Sequence, residues 1–161
     1  MTVVIIVALV LYGVIESLRK RANEHSIHQS PSSLISKPSI DRDKAREELR
    51  QIDTPEYLYH YIVNVINHGS HTLGFPGGEM EGGYVPPESA PEIACYVMKL
   101  GGHRCPHSYS RDAQMYFSSV CAGCHGLDGK GLHGTYPDLT RPTLLGIERR
   151  KIFLKGIVHP H

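Results

Sequence analysis

The stretch VCAGCHGLDGKG, Val120 to Gly131, constrains this chain more than any other. Two cysteines three residues apart, Cys121 and Cys124, are followed at once by His125. On one helical turn two thiols at this spacing can form thioethers to the two vinyl groups of a haem. The next residue then aims its imidazole at the iron. The motif fixes orientation as well as attachment, and it predicts one covalently bound haem c. The iron has a second face that also needs a ligand, and no methionine follows His125.

The rest of the composition agrees with a small cofactor-centred unit. The chain has 161 residues, a formal net charge of +1, no tryptophan, 16 glycines and 11 prolines. No basic stripe points to nucleic acid. Frequent glycine and proline favour short helices joined by long loops, and such a core is small to stand alone. A haem supplies a large apolar face at its centre. Covalent haem attachment occurs on the outer side of an energy-transducing membrane, periplasmic or intermembrane, where disulfides persist. With two cysteines assigned to haem, Cys95 and Cys105 remain, as a bridge or as two free thiols.

The chain opens with MTVVIIVALVLYGVI, an apolar run of about fifteen residues, ~22 Å long as a helix. That is shorter than the ~20 residues a spanning helix prefers. No basic segment precedes it and no small-x-small cleavage site follows, so residues 1–21 read as an uncleaved membrane anchor. Arg19, Lys20 and Arg21 follow the run, where the positive-inside tendency would place them in the cytoplasm. The compartment of haem attachment outranks that statistical rule, and the haem domain is assigned to the outer side.

Residues 22–53 read as a tether, helical in part near Asp41–Arg50, with His25 and His28 solvated. Residues 54–161 read as the haem domain. Thr54 caps a helix with Pro55 in its first turn, Leu58, Ile62, Val65 and Ile66 share a face, and Gly69 ends it. A glycine-rich loop centred on Met80 follows. Ser89 and Glu92 form a capping box for a helix that buries Ile93, Tyr96, Val97 and Leu100 and stops at Gly101. The next helix runs from Asp112 into the motif, with Ala113, Tyr116, Phe117 and Val120 on its apolar face. Loop then leads to a last short helix. No strand is expected.

Zinc is the competing occupant of the thiols. It would need a closed set such as Cys121, Cys124, Cys105 and His107, and that second pair is poorly spaced. A thioredoxin-like dithiol would need a βαβ context, and none is present.

From VCAGCHGLDGKG through YPDLT the chain resembles class I c-type cytochromes. The resemblance implies an all-α fold in which the carbonyl of Pro137 accepts from the free nitrogen of His125 and fixes its tautomer. INHGSHTLGFPGGEMEGG and APEIACYVMKLGGH resemble the first cytochrome domain of the dihaem, membrane-anchored subunit of cytochrome cbb oxidases. There a similar stretch leads into a Gly-x-Met ligand loop and a closing helix. The likeness covers roughly residues 3–20 and 60–158. It implies electron transport alongside other subunits of a respiratory or photosynthetic complex. This chain carries only the second of the two haem motifs and no second membrane helix, and the second ligand methionine of that subunit would fall just past KGIVHPH.

The resemblance also yields a candidate for the second axial ligand. The methionine loop and closing helix here precede the haem helix and proline loop, so one haem fold assembled in permuted order would give His125–Fe–Met80. Met98 and Met115 read as packing residues. His159 and His161 are alternative ligands, His68 and His71 are ligands or propionate contacts, His60 and His103 are neither, His133 is solvated, and Lys130 is solvated or lies near a haem edge used for docking. Two further functions compete with electron transfer. One is a haem-based gas sensor or peroxide-active protein with an exchangeable sixth ligand. The other is an accessory structural subunit.

Overall fold

A computed structural model describes residues 40–160. The proposed anchor of residues 1–21, most of the tether, and His161 lie outside the described residues. No helix among those described is long and apolar enough to cross a membrane.

The fold is mostly helical. Helix α1 spans Arg42–Gln51 and α2 spans Pro55–His68. Thr54 caps α2 as expected, its hydroxyl accepting from the Tyr57 amide at 3.2 Å. Gly69, at φ 83°, ends it in a conformation that favours glycine. Two two-residue strands follow, β1 (Gly69–Ser70) and β2 (Met80–Glu81). They pair antiparallel, Ser70 opposite Met80 and Gly69 opposite Glu81. No strand was expected, because two residues give no alternating pattern to detect.

A 3₁₀ turn at Pro87–Ser89 runs directly into α3, Ala90–Leu100. The expected capping box does not form. The Ser89 amide is already donated to the Pro86 carbonyl at 2.9 Å, so nothing is left for Glu92 to satisfy. The end of α3 also differs from expectation: Gly102, not Gly101, takes the positive φ of 78°. The His103 amide bonds the Met98 carbonyl at 2.8 Å and the Gly102 amide bonds that of Lys99 at 3.0 Å, which is a Schellman ending.

The motif helix begins as α4, Asp112–Tyr116, passes through a π-helical turn at Phe117–Cys121, and ends as α5, Ala122–His125. A π turn holds an extra residue and shifts the register of the buried face. Ala113 and Phe117 are fully buried, but Tyr116 and Val120 are 37% and 40% exposed. They do not complete the expected apolar stripe, which passes instead to Cys121 and Ala122, partly buried against the core. A single turn, α6 (Gly131–Gly134), interrupts the expected loop. Helix α7 spans Leu145–Val158.

The core is shared. Helix α2 packs on α3, and α3 on α4. Leu58, Tyr59, Ile62 and Ile66 join Ile93, Ala94, Val97 and Met98 in one cluster with Phe117. The Tyr96 and Phe117 rings meet at 5.2 Å. Burial of each large side chain contributes roughly 1.5–3 kcal/mol. Helix α1 packs along α7, burying Ala45 and Ile52 with Ile147 and Leu154. Residues 42–53 therefore belong to the packed unit rather than to a tether. Their apolar side chains are few, but Glu48 holds Arg150 through two bonds of 2.8 and 2.7 Å. Cys95 and Cys105 are joined in a disulfide.

Candidate functional site: an apolar cavity between Met80 and the Cys121–His125 motif

One predominantly apolar cavity receives walls from almost every element. Helix α2 gives Tyr61, Ile62, Val65 and Ile66. The loop between the strands gives Leu73 and Phe75, and β2 gives Met80. Ile93 and Val97 come from α3, and Leu144, Leu145 and Gly146 from the start of α7. The last wall holds Phe117, Val120, Cys121, Cys124, His125 and Pro137.

On this last wall the geometry of His125 is set locally. The His125 ring is 8% exposed, and its Nδ1 lies 3.2 Å from the Pro137 carbonyl oxygen. A carbonyl only accepts, so Nδ1 carries the proton and Nε2 keeps a free lone pair. Burial lowers the pKa of His125, and the bond to Pro137 opposes that shift without reversing it. The neutral, metal-ligating form is favoured.

Pro137 is carried to this position by a frame of backbone bonds. The Tyr136 amide donates to the Gly131 carbonyl at 3.0 Å, and the Leu139 amide donates to that of Gly129 at 2.8 Å. Gly131, at φ 77°, passes so close to Tyr136 that a Cβ would collide with the Tyr136 carbonyl. Leu132 and His133 follow with positive φ of 43° and 60°, a conformation costing roughly 1–2 kcal/mol per residue.

Cys121 and Cys124 are free thiols, half-buried and exposed respectively. Burial, with the neighbouring Cys124, pushes the Cys121 thiol up to about 11, so at neutral pH it is protonated. Tyr136 stands beside Cys124, and that contact raises the phenol pKa.

The Met80 wall is held from a distance. Gly82 passes so close to the end of α2 that a Cβ would come within 2.5 Å of the Asn67 carbonyl oxygen and the His68 Cα. The Gly83 amide donates to the Ile66 carbonyl at 3.0 Å. The Gly77 amide donates to the Thr135 carbonyl at 2.9 Å, tying this loop to the proline loop. The Arg149 guanidinium donates to the Thr72 carbonyl.

These residues fit a covalently attached haem: two thiols at the motif spacing, a neutral imidazole with its tautomer fixed, a thioether in the same cavity, and apolar walls. They do not fit zinc. Cys105 is bonded to Cys95, and among the described residues no cluster of three or more His, Cys, Asp or Glu is arranged to hold a metal ion.

The remaining candidates lie elsewhere. Met98 is 1% exposed in the core and Met115 is 56% exposed, and neither lines the cavity. His68 Nδ1 meets the Asn64 carbonyl at 3.1 Å. His71 pairs with Glu79 at 2.8 Å. His159 is exposed at the end of α7. His68 and Asn67 instead line a second, more open hollow with Gly83 through Pro87, where the Asn67 Oδ1 is buried without a partner. Tyr61, Tyr136 and the start of α7 are cavity residues that the sequence reading missed. Gly146 and Gly77 were the available signals, because each lies against one of those tyrosine rings.

No protein-family model matches the chain, and no solved structure matches it. Over 101 residues it is 32% identical to the "Cbb3-type cytochrome c oxidase subunit CcoP" of Helicobacter pylori strain ATCC 700392/26695, a match covering 60% of this chain and 34% of that protein. The same protein of Helicobacter pylori strain 52 matches at the same identity and coverage. The chain thus spans about a third of the length of the curated relatives it matches, and the relation is to a cytochrome c-like protein.

Proposed function

We propose that this chain is a c-type cytochrome that carries electrons. One haem c would be attached through Cys121 and Cys124, with His125 and Met80 as the axial ligands. The observation that carries this reading is convergence. Met80 lines the same apolar cavity as Cys121, Cys124 and His125, although a closing helix and a long loop separate them in sequence. The order of parts supports one haem fold in permuted order: α3 packs on the motif helix, and Gly77 bonds the proline loop.

When bound there, haem supplies a one-electron Fe(III)/Fe(II) couple. Pro137 holds the imidazole of His125 in one tautomer, which tunes the iron. The Met80 sulfur would hold the potential above that of a bis-histidine iron. Held by both His125 and Met80, the iron would offer no open site to a substrate, which favours electron transfer over bond chemistry. The relatives are named as oxidase subunits, which supports a place beside other subunits of a respiratory-chain complex. The apolar run at Val3–Ile15 supports membrane anchoring, with the haem domain on the periplasmic or intermembrane side.

The test is expression in a host competent for haem attachment. A pyridine-haemochrome signal for covalent haem is expected, and its absence rejects the reading. In that protein Met80→Ala should lower the potential and let the reduced form bind carbon monoxide. An unchanged spectrum and potential would remove Met80 from the iron.

A further inference from the structure

The walls of the cavity carry two carboxylates, Glu79 and Asp138, and no lysine or arginine. A haem brings two carboxylates of its own, the propionates. Where these are shielded from water, neutral donors must meet them. Four hydroxyls line the cavity: Tyr61, Ser70, Tyr84 and Tyr136. Tyr84 is 63% exposed. Tyr136 stands at the thiol edge beside Cys124, where the vinyl side of the ring would lie. Ser70 has a short side chain and sits opposite Met80 in the strand pair.

Tyr61 differs from all three. It sits half-buried on α2. Burial alone raises its pKa, with no charged or hydrogen-bonding neighbour contributing. Its oxygen lies against Gly146 in the first turn of α7, where a Cβ would collide with it. The glycine therefore leaves room for a phenol whose O–H finds no acceptor among the described residues. Filling the cavity with an apolar ring would strand that donor unless the ring's own polar edge met it.

We propose that Tyr61 positions the haem, its O–H donating to a propionate, with Gly146 as the residue that lets the phenol lie there. The proposal rests on the haem reading above. A hydrogen bond to the ionised carboxylate favours that form, so its loss raises the propionate pKa.

The experiment uses the haem-loaded full chain and the variants Tyr61→Phe and Gly146→Ala, with Tyr84→Phe and Ser70→Ala as controls. Haem content is read by pyridine haemochrome, the propionate bending mode by resonance Raman, and the midpoint potential across pH. Tyr61→Phe should keep its haem, shift the propionate mode, and move the inflection of potential against pH upward by roughly one pH unit. Gly146→Ala keeps every hydroxyl but displaces the phenol, and should move both readouts in the same direction. The controls should move neither. If Tyr61→Phe fails to load haem, Gly146→Ala decides alone. A wild-type chain with haem whose two readouts ignore both variants, or follow a control instead, overturns the role of Tyr61 only. A wild-type chain without covalent haem overturns the haem reading and this proposal together.

Discussion

The Met80 and His125 walls of the cavity are built by different means. His125 is placed by its neighbours in sequence. The motif, the glycine frame and Pro137 all fall within residues 121–139. Met80 is placed by partners from all over the unit: Ser70 across the strand pair, Ile66 on α2 and Thr135 in the proline loop, and Arg149 on α7 acting through Thr72. One wall is a local unit. The other exists only when the whole unit has closed. Loosened packing should therefore unseat Met80 before it disturbs His125.

The largest expected effect comes from Phe117→Ala. Phe117 is fully buried, meets the Tyr96 ring in a tilted contact and joins the motif helix to α3. Its truncation should cost about 3–5 kcal/mol in urea unfolding. In the haem-loaded protein it should weaken the methionine–iron signature while the histidine bond persists. Loss of both in one step would break the distinction between the walls.

A smaller and more selective pair is Gly131→Ala and Gly82→Ala. Each added methyl meets backbone, and each should cost roughly 2–3 kcal/mol. Gly131→Ala should disturb the His125 ring and its bond to Pro137, seen in the imidazole proton resonances. Gly82→Ala should leave those unchanged and alter the methionine methyl resonances. Interchanged responses would show that the loops do not act independently.

The same division explains what the sequence could tell. The His125 wall is legible because its determinants are contiguous: a spacing, a few glycines and a proline. The α2 start at Thr54 and Pro55 is local too, and the structure agrees with it. The strand pair around Met80 was hidden because two residues carry no period. The failed capping box at Ser89 depended on an upstream turn that had already used the Ser89 amide. Packing of α1 was illegible because its tie is an ion pair to Arg150, far along the chain. The roles of Tyr61 and Gly146 required knowing that α7 returns to α2.

That α1–α7 tie gives the smallest effect and extends the comparison to pH. Arg150 holds the Glu48 carboxyl below the ordinary carboxylate range through their hydrogen bond, against burial, with Tyr57 helping. On the other wall, Thr140 likewise lowers Asp138. For a depressed carboxylate the stabilisation is present above the unfolded pKa and is lost as pH falls through the folded one. Both should therefore contribute to acid lability below about pH 4.5. Glu48→Gln removes only the α7 share. It should cost on the order of 1 kcal/mol at neutral pH, since the pair is partly solvated, and should flatten the fall in stability between about pH 4.5 and 3. Helix α7 also carries Arg149, which holds the Thr72 carbonyl, and Leu145 in the cavity wall. Acid titration of the haem-loaded protein should thus release methionine before histidine, and Glu48→Gln should move that first step to higher pH. If the histidine step moves instead, α7 supports the His125 wall, and the Met80 wall depends less on distant packing than its contacts imply.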